Sequence, residues 1–175
     1  MSESTKRHKA EAPKKLNFAI FVCSTSRHKR LKSREKITDE SGDLIESLIK
    51  GAGHSVAMRK IVPDDKAQIE ECVHQALTSN LDAVIFCGGT GIAPSDITIE
   101  TVSPFLEKIL QGFGEIFRLL SFRKIGSAAI LSRAIAGTAR GKAFFCIPGS
   151  PDAARLCIEK LILPEAPHIV KHARE

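Results

Sequence analysis

Short apolar runs alternate with segments of helical periodicity along most of this chain. Residues 16–23 and 83–87 are almost continuously apolar, which is typical of strands buried on both faces of a parallel sheet. Residues 54–62 alternate between apolar and polar positions, which predicts a strand nearer the edge of that sheet. Residues 133–138 and 143–148 predict a hairpin joined by a short Arg-Gly-Lys turn.

Helical patterns fall between these strands. Residues 39–51 place four apolar side chains on one face before a terminating glycine. After a turn at residues 63–65, a second apolar stripe predicts another helix, for which Asp64 or Asp65 is a candidate cap. Between the first strand and residue 39, residues 24–36 predict a long basic loop.

The second half of the chain predicts three more helices. Residues 98–110 predict one with a proline in its early part, and residues 111–122 predict a loop followed by a short helix. Pro151 suits the first turn of a last helix, and Pro164 should end it.

Alternating strands and helices predict a three-layer α/β/α sandwich with a mainly parallel sheet and an antiparallel hairpin near the carboxyl end. Right-handed crossovers would bring the loops after residues 23, 62, 87 and 147 to one rim of the sheet, where such folds bind ligands.

Those four loops carry residues suited to a phosphate site. Glycines let the backbone turn sharply and leave its amides accessible, and hydroxyl and carboxylate groups stand beside them. The loop residues are Ser24 and Ser26, then Asp64, then Gly88, Gly89, Thr90, Gly91, Asp96 and Thr98, and finally Gly149 and Ser150. The last loop, Pro-Gly-Ser-Pro, opens a helix whose amino end could hold an anion.

Each loop also has a purely structural interpretation. The glycines could form only a tight turn, Asp64 only a helix cap, and Pro-Gly-Ser-Pro only a helix start. The stretch GGTGIAPSD lacks the Gly-Lys-Ser/Thr ending of a Walker A loop and is not a dinucleotide fingerprint. Two carboxylates beside one glycine-lined anion site favour Mg²⁺ held jointly with substrate phosphates.

Charge is distributed unevenly along the chain. Residues 1–36 contain 11 Lys and Arg against 3 Asp and Glu, whereas the remainder contains 15 against 17. The predicted folded part is therefore slightly acidic, which argues against a nucleic-acid-binding module, although the basic tail could bind polyanions. We expect a disordered tail at residues 1–15 and a single domain at 16–175.

The sequence also bears on location and on cysteine chemistry. No apolar run approaches the roughly 18 residues that span a bilayer, and the amino-terminal residues do not form a signal peptide, so we expect a cytoplasmic protein without membrane partners. The five cysteines are odd in number, and none are in a Cys-x-x-Cys pair. This favours buried thiols over a disulfide framework or a metal cluster.

Four motifs together resemble one family. GGTG-x-x-x-x-D-x-T-x-E, GFGEIFRLLSF, SRAIAG and PGSP are similar, in this order, to the molybdopterin-binding MoaB/Mog family, especially its MoaB branch. That family includes the G domains of gephyrin and its plant counterpart, and the resemblance covers about residues 16–163. It implies an α/β sandwich that assembles as trimers or hexamers, with other cofactor-biosynthesis proteins as possible partners.

The resemblance also implies an activity, namely adenylylation of molybdopterin by Mg-ATP with release of pyrophosphate. The alternative is a non-catalytic molybdopterin-binding or carrier protein. Asp96 and Asp64 match the family's functional aspartates, and we expect both to hold Mg²⁺. Some MoaB members lack the second of these, so its presence favours an active enzyme. Further matching positions in ligand-lining segments are Ser24, Ser26, Gly88, Gly89, Thr90, Gly91, Thr98, Glu100, Ser132, Gly149 and Ser150.

The chain departs from the family pattern at three positions. Ser95, Ile99 and Gln111 stand where many relatives have Arg, Pro and Pro. Because the first change removes a cation beside the expected phosphates, we expect the basic loop at residues 27–36 to fold over the site and replace it.

Overall fold

The protein is described by a computed structural model covering residues 11–175. Within these residues, six strands form one sheet in the order β2-β1-β3-β6-β5-β4. Strands β2, β1, β3 and β6 run parallel, while β5 is antiparallel to both β6 and β4. The strands are β1 (Asn17–Cys23), β2 (Ser55–Val62), β3 (Ala83–Cys87), β4 (Lys108–Ile109), β5 (Ile135–Ala139) and β6 (Lys142–Ile147). The mixed sheet, the carboxyl-terminal hairpin and the edge position of β2 are confirmed.

Helices cover both faces of the sheet. They are α1 (Thr25–Lys32), α2 (Glu40–Gly51), α3 (Lys66–Thr78), α4 (Thr98–Val102), α5 (Gln111–Ile125), α6 (Pro151–Cys157) and α7 (Leu163–Ala173). Short 3₁₀ segments at Ser103–Phe105 and Gly126–Leu131 and a π-helical segment at Ile158–Ile162 join some of them.

Two apolar clusters give the fold its three layers. Alternate residues of β1 point to opposite faces, so Ile20 packs with α2, α5, α6 and α7 while Phe21 packs with α3 and α4. Strand β3 is buried at every position, as its uninterrupted apolar run predicts. Burial of each such large side chain contributes about 1.5–3 kcal/mol to folding. The predicted three-layer sandwich is confirmed.

The prediction of a basic loop at residues 24–36 is wrong, because α1 occupies most of it. The Ser24 side chain caps this helix by accepting a hydrogen bond from the Arg27 amide at 3.4 Å. The segment has a single aliphatic side chain, Leu31, and buries no residue, so it carries no apolar stripe that would reveal a helix.

Three other boundaries differ from prediction. The loop predicted at the start of residues 111–122 is absent, because α5 begins at Gln111 and continues to Ile125. The helix predicted at 98–110 ends after Ser103–Phe105, and β4 follows because Lys108 and Ile109 pair with Thr138 and Gly137. The last helix continues past Pro164, which stands in the first turn of α7 directly after the π-helical segment. Proline is tolerated in the first turn of a helix, because the amide hydrogen that it lacks would have no intrahelical partner there.

The amino-terminal prediction falls largely on residues 1–10, which lie outside the described residues. Among the residues described, the Glu11 carboxylate pairs with the Lys171 ammonium at 3.1 Å. The helices described are too short or too polar to cross a membrane. All five cysteines are buried free thiols, as predicted.

Candidate functional site

The carboxyl ends of β1, β3 and β6 open into one cavity of about 660 Å³. Its floor is backbone, because Gly88 has φ +105° and a Cβ there would lie 2.3 Å from the Cys23 carbonyl oxygen. Only glycine allows the loops after β1 and β3 to approach this closely. Burial raises the pKa of the Cys23 and Cys87 thiols, which also line the cavity, to about 12. These thiols are therefore neutral walls of the cavity.

The loop after β1 forms one wall through the start of α1. Ser24, Ser26 and Arg27 line the cavity there, as the first loop predicts for its two serines. The Ser24 amide donates to the Val62 carbonyl at 2.8 Å, which ties this turn to the end of β2. Of the predicted basic loop, only Arg27 contributes a cation to the cavity lining.

The glycine loop after β3 supplies Gly88, Gly89, Thr90, Gly91 and Asp96 to the cavity. One oxygen of the Asp96 carboxylate accepts a hydrogen bond from the Ala93 amide at 2.9 Å, which fixes the side chain within a local turn. Thr98 is buried and does not line the cavity.

Glu100 also lies outside the cavity lining, but it binds a residue that is part of it. Its two oxygens accept hydrogen bonds from Arg133 at 2.6 and 3.1 Å. The Arg133 Nε donates to the Thr90 carbonyl at 2.9 Å. The hydrogen bonds from Arg133 hold the pKa of Glu100 below its usual range. Glu100 therefore positions a cavity cation.

Sequence reasoning missed Arg133 although it follows Ser132, a predicted site residue that does line the cavity. The available signal was its place in SRAIAG, one of the motifs that carry the family resemblance. Together with Arg27 and Lys124 it gives the cavity lining three cations, against the two carboxylates of Asp96 and Asp152.

Asp64 stands behind the glycine loop and does not line the cavity. One carboxylate oxygen accepts hydrogen bonds from the Thr25 amide and hydroxyl at 2.9 and 2.8 Å. The other is buried without a hydrogen-bond partner among the residues described. A Cβ on Gly89 would lie 2.8 Å from that oxygen and closer still to the Thr98 hydroxyl, so the carboxylate and this hydroxyl both lie directly behind the glycine backbone.

The loop after β6 brings Gly149 and Ser150 to the cavity, as predicted. The Ser41 hydroxyl, at the start of α2, donates to the Gly149 carbonyl at 2.6 Å and so fixes this loop. Ser41 is fully buried and 108 positions away in sequence, and no local pattern pointed to it.

The remaining wall is largely apolar. It comes from α5, the 3₁₀ segment after it and α6, and its residues are Phe117, Ser121, Lys124, Ile125, Leu131 and Leu156. The cavity therefore has a polar, glycine-lined end suited to anions and an apolar end suited to a ring system.

Mg²⁺ needs few protein ligands, since it usually takes one or two carboxylates together with substrate phosphates and water. Among residues 11–175, no group of three or more His, Cys, Asp and Glu side chains is arranged to hold a metal. Asp96 in the cavity and the unpartnered Asp64 oxygen behind Gly89 nevertheless suit an ion that completes its shell with phosphate.

Comparisons with known proteins identify the family of this chain. Residues 19–168 match the family described as a probable molybdopterin binding domain. A molybdenum cofactor biosynthesis protein B of Bacillus cereus is 45% identical over 168 residues, 95% of this chain and 95% of that protein. Its Bacillus subtilis counterpart is 42% identical over 174 residues, 98% of each chain.

Solved structures lead to the same family. A crystal structure of molybdenum cofactor biosynthesis protein B has a TM-score of 0.84 and 44% identity, covering 94% of this chain and 99% of that one. The tungsten cofactor synthesizing protein MoaB from Pyrococcus furiosus has a TM-score of 0.83 and 39% identity, covering 94% of this chain and 100% of that one. The chain therefore belongs to the MoaB/Mog family of molybdopterin-binding proteins.

Proposed function

We propose that the protein acts in molybdenum or tungsten cofactor biosynthesis by adenylylating molybdopterin with Mg-ATP. The observation that carries this proposal is that the glycine loop, with Arg27 beside it, and a largely apolar wall line the same cavity. The first suits the phosphates of both substrates, and the second suits the pterin ring. The names of the relatives, which are cofactor biosynthesis proteins, support the same pathway.

In this reaction an oxygen of the terminal phosphate of molybdopterin attacks the α-phosphorus of ATP. The bond from that phosphorus to the bridging oxygen breaks, and pyrophosphate leaves with the electron pair. The attacking phosphate is already ionised near neutral pH, so no strong general base is required. The protein's main task is therefore to bring two anions together in line.

Each part of that task has candidate residues. The backbone amides of residues 88–91 would bind phosphate oxygens, and Arg27 would offset their charge. Arg133, which is bound by both oxygens of Glu100, would fix the glycine loop through the Thr90 carbonyl. Asp96, with Asp64 behind it, would hold Mg²⁺, which when bound neutralises charge on the triphosphate. Ile125 and Leu131, which line the cavity and are exposed, would pack against the pterin ring.

The direct test is incubation of the full chain with molybdopterin and Mg-ATP. We expect adenylyl-molybdopterin and pyrophosphate to form in equal amounts, measured by chromatography and a pyrophosphate assay. Omission of Mg²⁺ is the control and should stop both. Tight pterin binding without either product would contradict the proposal.

That contrary result would favour the alternative, a non-catalytic molybdopterin-binding or carrier protein. One observation favours it specifically: Asp64 does not line the cavity, so only Asp96 presents a carboxylate at the glycine loop.

We also propose that the protein assembles with copies of itself, as a trimer or a pair of trimers. Large apolar side chains are exposed together on α5 and the 3₁₀ segment that follows, among them Leu119, Phe122 and Ile130, the last with 82% of its surface exposed. Apolar surface of this kind marks an interface.

Replacing Ile130 by aspartate should therefore convert the assembly to monomers, because it places a charge in an apolar contact. Light scattering coupled to size-exclusion chromatography measures the change. Leu31→Asp is the matched control, since Leu31 is also exposed but lies on α1. An unchanged mass for the Ile130 variant would contradict this use of the surface.

A further inference from the structure

Arg27 is the only cation that α1 contributes to the cavity lining, and a buried carboxylate lies behind it. The Asp39 carboxylate faces the Arg27 guanidinium at 3.6 Å, and only 6% of its surface is exposed. A charge buried to this degree requires partners, because desolvation penalises it strongly. The partners of Asp39 therefore show what holds it in place.

Arg59, on the edge strand β2, is the strongest of these partners. Its Nη2 donates to Oδ2 of Asp39 at 2.6 Å, a short charge-assisted hydrogen bond. The other carboxylate oxygen accepts from the Gly42 amide at 3.2 Å, which caps α2, and it is this oxygen that faces Arg27. Asp39 is thus fixed by two elements while its contact with Arg27 stays loose.

That difference in contact length matters for a ligand. A guanidinium bound tightly by a carboxylate has little charge left for a phosphate, whereas one held at 3.6 Å is oriented and keeps its donors. Arg59 also pairs with Asp43 and Glu46 at 2.7 and 2.9 Å, so carboxylates neutralise its charge.

The pair lies close to the cavity floor. Burial, and to a smaller extent the Asp39 charge, raise the pKa of Cys87, which lines the cavity, to about 12, while the Arg27 charge lowers it. Both charges therefore act on the end of β3, where the glycine loop begins.

We propose that Asp39, fixed by Arg59, is a positioning residue that holds the Arg27 guanidinium toward a phosphate group in the cavity. The inference rests on the proposed function for the identity of the phosphate, but it can be tested without turnover. A long arginine side chain otherwise loses rotamer freedom when it binds, and a preformed orientation reduces that cost.

The test measures binding of Mg-pyrophosphate and Mg-ATP to the full chain by calorimetry, in a double-mutant cycle. Arg27→Gln and Asp39→Asn should each weaken binding about tenfold. The double variant should bind no more weakly than Arg27→Gln alone, because Asp39 acts through Arg27. Asparagine keeps the oxygen that caps α2, so the helix should persist.

Asp43→Asn is the matched control. It removes an exposed carboxylate that pairs with Arg59, as Asp39 does, but not with Arg27, so it should leave binding unchanged. Asp39→Ser, which also caps helices, replaces Asp39→Asn if thermal unfolding shows that the latter does not fold. Independent losses that add up in the double variant, or unchanged binding in the Asp39 variant, would overturn the inference. Absence of adenylylation with the coupling intact would instead overturn only the proposed function.

Discussion

Asp96→Asn should lower the rate of molybdopterin adenylylation about a hundredfold or more, the scale of loss when a preorganised electrostatic contact is removed from a reaction centre. Asp96 is the carboxylate that the glycine loop presents to the cavity. Asparagine keeps an oxygen that can accept the hydrogen bond from the Ala93 amide, so the local turn should persist. The substitution therefore removes charge with little change of shape.

Two measurements separate this effect from a general weakening of the site. Molybdopterin affinity, followed by pterin fluorescence, should be largely preserved, since the pterin ring is assigned to the apolar wall. Asp152→Asn removes another carboxylate from the cavity, on α6, and should retain most of the activity. Full activity of Asp96→Asn at saturating concentrations of both substrates would show that the assignment is wrong.

The sequence predicted the sheet because burial leaves a direct trace in the apolar pattern. β1 and β3 are apolar at nearly every position since both faces are covered, and β2 alternates because it lies at the edge. α1 left no such trace, because it buries no side chain and is defined by its cap and by local hydrogen bonds. β4 is two residues long and exists only through its pairing with β5.

The candidate site was predicted in outline for a related reason. The topology brings the loops after parallel strands to one rim, so three of the four predicted loops meet at the cavity. The direction of each side chain within those loops is decided by tertiary contacts. The carboxylates of Glu100 and Asp64 turn toward Arg133 and Thr25, 33 and 39 positions away.

Asp64 accordingly has two possible roles. Its carboxylate could act only as a structural link, or strut, between the end of β2 and the start of α1. The Thr25 amide and hydroxyl both donate to this carboxylate, and the Thr25 hydroxyl accepts from the Asp64 amide at 2.9 Å. Its second oxygen, buried behind Gly89 without a hydrogen-bond partner among the residues described, has no part in that strut. An unpaired carboxylate oxygen is costly to bury, which favours a functional role for its charge.

Asp64→Asn separates these roles, because an amide oxygen can still accept both hydrogen bonds from Thr25 while the charge is lost. If the charge acts on Mg²⁺ or on the phosphates through the glycine loop, adenylylation should fall about a hundredfold, a loss comparable to removal of an outer-sphere partner of a metal site. The melting temperature should change little. Product formation and calorimetric unfolding measure the two effects.

Two further variants complete this comparison. Asp64→Ala removes the strut as well as the charge, so it should lower both activity and the free energy of unfolding. Asp65→Asn alters the adjacent carboxylate, which caps α3 through the Gln68 amide at 3.0 Å, and should leave activity unchanged because asparagine also caps helices. Should Asp64→Asn remain fully active while Asp64→Ala does not, Asp64 is a strut, and Asp96 is then the one carboxylate of the pair whose charge serves the reaction.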